Sequence, residues 1–92
     1  MFVEDHVYFS NPSADWQKAW TVTERLLNEI QREVAQHKSR LVVVTLTNGI
    51  QVHPDPKVRR GYMERYGIED LLYPDRRVEQ IGKSNGIAVW ML

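Results

Sequence analysis

Apolar residues in this chain fall into two kinds of pattern. In "SADWQKAWTVTERLLNEIQREVAQHK" the residues Trp16, Ala19, Trp20, Thr23, Leu26, Leu27, Ile30 and Val34 recur at steps of three and four. That spacing predicts one long helix over about 14–37 with a single apolar stripe. Ser13 or Asp15 is suited to cap its start, and His37 and Lys38 suit the negative pole at its end. "RLVVVTLT" is different. Leu41 to Leu46 is a β-branched, nearly unbroken apolar run, too short for a helix and without alternation. It predicts a strand over about 41–47 that is covered on both faces, as in a parallel sheet. "IAVWML" predicts a second such strand over about 87–92.

Between the strands, "DPKVRRGYMERYG" places Asp55 at a cap, Pro56 at the first helical position and Gly67 just past the end. This predicts a helix over about 56–66. Val58, Tyr62, Met63 and Tyr66 form its apolar side, and Gly61 weakens it. "IEDLLYP" reads as an irregular or one-turn piece. "PDRRVEQIGKSNG" predicts a short helix over about 75–84, closed by Asn85-Gly86. Residues 1–12, with Val7-Tyr8-Phe9 ahead of "SNPS", read as an edge strand or an extended arm. The order is helix, strand, helix, helix, strand. A connection of roughly forty residues that contains helices is the signature of a crossover joining parallel neighbours.

Two strands apolar on both faces leave unpaired edges and uncovered surface, so they do not make a stable sheet alone. The expectation is that residues 1–92 form one segment of a larger α/β domain, with an arm at 1–12 and an α/β core piece at 13–92. The final apolar run, where the sequence stops inside a core strand, points the same way. The lesser option is an intact small protein. Either way, the predicted partners are further copies of this chain or the remainder of its own parent domain.

Composition narrows the function classes. The chain has 92 residues, enough for one small domain. Its 12 basic and 12 acidic residues cancel, so no overall field recruits nucleic acid or an anionic membrane. Cysteine is absent, which removes disulfides, thiolate metal sites and cysteine nucleophiles. Glu4 and Asp5 stand where a signal peptide needs basic residues, and no apolar stretch approaches the ~20 residues of a membrane span. The segment reads as soluble, with its compartment open.

Three stretches suggest chemistry. "GKSNG" at 82–86 fits the G-x-S-x-G pattern of a nucleophile elbow. An elbow needs a strand entering and a helix leaving, and here that order is reversed. A helix cap built from Ser84, Asn85 and Gly86 is the better reading. "QVHPDP" sets His53 and Asp55 in a loop after a strand, where α/β folds place ligands. With no serine nearby, and with His6 and His37 on unrelated elements, neither a dyad nor a metal site is indicated. Arg59, Arg60, Arg65, Arg76 and Arg77 alternate with Tyr62, Tyr66 and Tyr73. Asp55, Glu64, Glu69, Asp70, Asp75 and Glu79 lie among them, so a solvated face with local ion pairs is favoured over a nucleic-acid surface. Trp16, Trp20 and Trp90 read as core or interface residues. No phosphate loop, dinucleotide fingerprint or zinc motif occurs, and no cofactor is predicted.

The combination of "DWQKAWTVTERLLNEI", "LVVVTLTNGIQVHPDP" and "YGIEDLLYPDRRVEQIGKSNGIAVWML" resembles the interior of bacterial proteins in the SGNH (GDSL-type) hydrolase superfamily. The resemblance covers roughly residues 12–92. It implies a three-layer α/β/α, flavodoxin-like fold in which a serine attacks an ester or acyl carbonyl. An oxyanion hole stabilises the intermediate, and a histidine three residues after an aspartate acts as base. None of these signature residues is present: the chain lacks Gly-Asp-Ser, Gly-x-Asn-Asp and Asp-x-x-His. The resemblance therefore implies a segment of an esterase, lipase or acyl or acetyl hydrolase that contains no catalytic residue and is inactive alone. From the strand-end rule, Thr47, Asn48, Gln51 and His53 are expected to line one wall of the parent's substrate crevice. The alternative is a small non-enzymatic α/β module that self-associates through its strands and binds a protein partner.

Overall fold

A computed structural model describes residues 3–46 and 49–91. A 3-10 helix, Val3–Tyr8, is followed by α1 (Ala14–Gln36), β1 (Val42–Thr45), α2 (Pro56–Tyr66), α3 (Tyr73–Asn85) and β2 (Ala88–Met91). The two strands pair in parallel, with Val42 opposite Ala88 and Thr45 opposite Met91. The chain is thus a small mixed α/β arrangement whose two apolar runs are neighbours in one sheet.

Helix ends show how local chemistry sets these boundaries. Asp55 caps α2 by accepting a hydrogen bond from the Lys57 N–H at 2.9 Å. Gly67, at φ 66°, ends α2 in the left-handed conformation that glycine adopts without a Cβ penalty. The Ile68 N–H then returns to the Met63 carbonyl at 2.8 Å, and the Ile68 side chain is buried. Ser13 occupies the cap position of α1, but its side chain makes no capping bond. Its carbonyl accepts from the Gln17 N–H instead. The end of α1 passes through Lys38 at φ 59°, and the Ser39 N–H reaches back to the Val34 carbonyl.

Three expectations are corrected. Residues 3–8 are not extended: they form a 3-10 helix, because Tyr8 at 1% exposure plugs the gap between Ile68 and Leu71. Helix α3 starts at Tyr73, two residues early. Asp70 prepares this start by accepting from the Leu72 N–H at 2.9 Å through its side chain and from the Tyr73 N–H at 3.2 Å through its carbonyl. The strands are not covered on both faces. Helix α3 packs against β2, while Val42, Val44 and Trp90 lie open, Trp90 at 64% exposure.

Gly82 makes the covered face possible. A Cβ at this position would collide with Val89 Cγ2 and lie 2.7 Å from the Ile87 carbonyl oxygen. The α3 backbone therefore approaches β2 more closely than any side chain permits. Helix α1 is attached differently. Asn28 donates to Asn85 Oδ1 at 2.9 Å, Asn85 donates to Glu24 Oε2 at 3.1 Å, and Gln31 donates to the Gly86 carbonyl at 3.3 Å. Trp20, Thr23, Leu27 and Val34 turn inward, while Leu26 and Ile30 of the same predicted stripe are exposed.

Candidate functional site: the loop after the first strand

The loop that leaves β1 contains the residues expected to line a crevice. Thr47 and Asn48 lie outside the described residues. Gln51 and His53 are both half-buried. Gln51 Nε2 donates to the Leu71 carbonyl at 2.7 Å and to Asp75 Oδ2 at 3.4 Å. Its amide thus ties the loop to the start of α3. A cavity of about 420 Å³ lies beside this tie, lined in part by Gln51, Arg59, Arg60, Met63, Glu69 and Asp70. Its size falls within the range of small-ligand sites.

His53 is oriented by its own loop. Its Nδ1 accepts from the Asp55 N–H at 3.1 Å, which leaves Nε2 as the protonated nitrogen of the neutral ring. Its carbonyl accepts from Arg59 Nη1. Asp55 is occupied with capping α2. Among the described residues no serine or carboxylate side chain is hydrogen-bonded to His53, so the residues present make no charge-relay arrangement.

Asp75 is not distinguished by its sequence context, where it is one acid of "YPDRR". It is the buried charged residue in the first turn of α3. Burial raises its carboxyl pKa above the ordinary value, the Gln51 hydrogen bond partly offsets that rise, and the nearby Asp70 charge adds to it. The physical cause is the cost of an ionised carboxylate in a poorly solvated place. Only the tertiary approach of the β1 loop brings Gln51 and Asp75 together.

The other stretches resolve into structural roles. In "GKSNG" Gly82 serves close packing, Gly86 at φ 68° ends α3, and Ser84 is exposed. Among the arginines, Arg76 pairs with Asp70 at 3.2 Å, Arg65 lies over the Tyr66 ring at 5.4 Å, and Arg77 lies over Trp20 at 5.7 Å. Tyr62 and Tyr66 pack against the buried cluster around Tyr8. They do not form an open stacking surface.

Among the described residues no cluster of three or more His, Asp or Glu side chains is placed to hold a metal ion. No helix among them is long and apolar enough to cross a membrane. Compared with models of protein families, with curated proteins and with solved structures, the chain matches none.

Proposed function

We propose that this chain is the central α/β segment of an SGNH-type ester hydrolase, supplying sheet, helical cover and one crevice wall while other residues supply the nucleophile and base. The observation that carries this reading is the half-covered sheet. The parallel strands pair as they would inside an α/β domain, α3 packs against β2, and Val42, Val44 and Trp90 remain open among the described residues. The surface area supports it. A folded chain of 10.8 kDa exposes about 5,500 Å² by the usual scaling, whereas this one exposes 6777 Å². Its radius of gyration is 15.0 Å, against about 12 Å for a compact domain of this length.

On this reading the β1 loop, held by the tie from Gln51 to Leu71 and Asp75, forms the wall that carries Gln51 and His53. The test is hydrolysis of short-chain p-nitrophenyl esters. A longer polypeptide containing these residues turns the esters over and loses activity when its Gly-Asp-Ser serine is changed to alanine. The 92-residue chain alone gives no turnover. A longer polypeptide with no esterase activity, or one indifferent to that serine, sinks the hydrolase reading.

The same open face favours a second reading, a non-enzymatic module that self-associates. Val42, Val44, Ala88 and Trp90 are exposed together on that face, a continuous apolar surface that a second copy can cover. Sedimentation separates the two readings. A stable dimer at micromolar concentration favours self-association, and a monomer favours cover by other parts of a larger domain.

A further inference from the structure

A second cavity, with no role in the reading above, lies where the start of α3 meets the first turns of α1. It measures about 380 Å³, is open to solvent and is bordered by residues 10–12, with Ser10, Asn11, Gln17, Trp20, Tyr73 and Arg77 among its lining residues. Two hydrogen-bond donors of this lining are unmet. Trp20 Nε1 and Arg77 Nε are both buried, and neither has a partner among the described residues. A lost bond of this kind is costly because the donor keeps its full desolvation penalty, and buried donors are nearly always paired.

Both orphans are donors, and one belongs to a guanidinium, which stays charged at any pH the fold tolerates. Among the described residues no carboxylate lies within ion-pair distance of Arg77, although its neighbour Arg76 is paired with Asp70. A competitor is Glu24, which lines a small cavity together with Arg77. Its carboxylate accepts from Asn85 at 3.1 Å. The other polar groups around the cavity are largely taken: Ser10 donates to Glu69, Gln17 to the Pro12 carbonyl and Thr21 to the Gln17 carbonyl. Trp20 and Tyr73 meet edge to face, with centroids 6.3 Å apart, and the Arg77 guanidinium lies over the Trp20 ring, which holds the two donors side by side.

We propose that this cavity binds a carboxylate, with Arg77 supplying the charge and Trp20 the second donor. A guanidinium matches the two oxygens of a carboxylate with parallel N–H bonds. Both N–H groups have almost no accessible surface, so an acceptor reaches them only as the exposed residues Ser10 and Asn11 that border the cavity give way, and it then satisfies donors that solvent does not serve. The carboxylate comes from a free small acid or from an Asp or Glu side chain of another polypeptide segment. The chemistry of capture is the same for both.

The test follows the two orphan N–H groups directly by ¹H–¹⁵N NMR of the 92-residue chain. Sodium acetate and a short Glu-containing peptide with blocked ends are titrated separately, against sodium chloride at equal ionic strength. The Trp20 indole and Arg77 Nε resonances move together and saturate, with a dissociation constant on the order of 1 mM. Saturation by acetate identifies a free acid as sufficient, and saturation by the peptide alone identifies a protein side chain. The response vanishes in Arg77→Met and persists in Arg76→Gln. Trp20→Phe keeps an aromatic ring but loses the N–H, and weakens binding about tenfold. Shifts that match those in chloride, fail to saturate, or survive Arg77→Met overturn the proposal. So does a response that appears only in Glu24→Gln, because Arg77 would then be serving Glu24.

Discussion

The two ends of this molecule bury apolar side chains in opposite ways. Around Tyr8, three buried residues (Tyr8, Ile68 and Leu71) gather half-buried neighbours from the 3-10 helix, the β1 loop and α2 into one closed cluster. Around the strands, a run of valines pairs in parallel register with Ala88, Val89 and Trp90 but keeps one face open. The closed end is made largely of residues from segments with weak patterning. The open face is made of the strongest apolar runs in the chain. Apolar content alone therefore does not mark where this chain is sealed. What matters is whether the chain itself supplies a second surface.

This contrast orders the expected effects of substitution. Tyr8→Ala removes the largest fully buried side chain and is expected to cost about 3 kcal/mol, read as a lower urea midpoint. An unchanged midpoint would mean that the closed cluster is not closed. Gly82→Ala forces α3 away from β2 and is expected to cost about 2 kcal/mol, despite the better helix propensity of alanine. The same measurement at Gly61, whose Cβ position is unobstructed, should show a gain of a few tenths to about 1 kcal/mol. Asp55→Ala loses the α2 cap and about 1 kcal/mol. Trp90→Ala should change the stability of the isolated chain by less than about 0.5 kcal/mol, as surface substitutions do. A large loss there would show that the outer face is already covered in solution.

The smallest effect is a pH dependence at the tie between the β1 loop and α3. The Asp75 carboxyl titrates higher in the folded chain than in the unfolded one. The folded state therefore holds the proton more tightly, and stability from this group is present below the unfolded value and lost as pH rises through the folded one. Urea midpoints measured from neutral pH down through the carboxylate range should include a component that rises on acidification. In Asp75→Asn that component disappears, while the amide introduced there still offers an oxygen to Gln51. An identical profile in the variant would show that Asp75 is solvated.

Much of the secondary structure is legible in the sequence. The α2 boundaries follow from Asp55-Pro56 and Gly67, because a side-chain oxygen, a fixed φ and a missing Cβ act within a few residues. The β-branched runs predict two strands, and the long connection predicts their parallel pairing. The arm expected at 1–12 is wrong for residues 3–8, since its three-residue pattern carries no sign of the Ile68–Leu71 gap that Tyr8 fills. The candidate site is legible only in part. His53 and Asp55 declare their loop geometry locally, but the contact from Gln51 to Asp75 spans 24 residues. Nothing near Arg76 and Arg77 tells which of them finds a carboxylate.

The sequence by itself determined the three α-helices, the two strands and the ends of α2, because capping, glycine conformation and β-branching act through bonds and near neighbours. Tertiary structure decided which face of the sheet is sealed, which glycine permits close packing and which charged groups are left without partners. Those outcomes depend on distances between segments far apart in the chain, and residue types alone do not fix such distances.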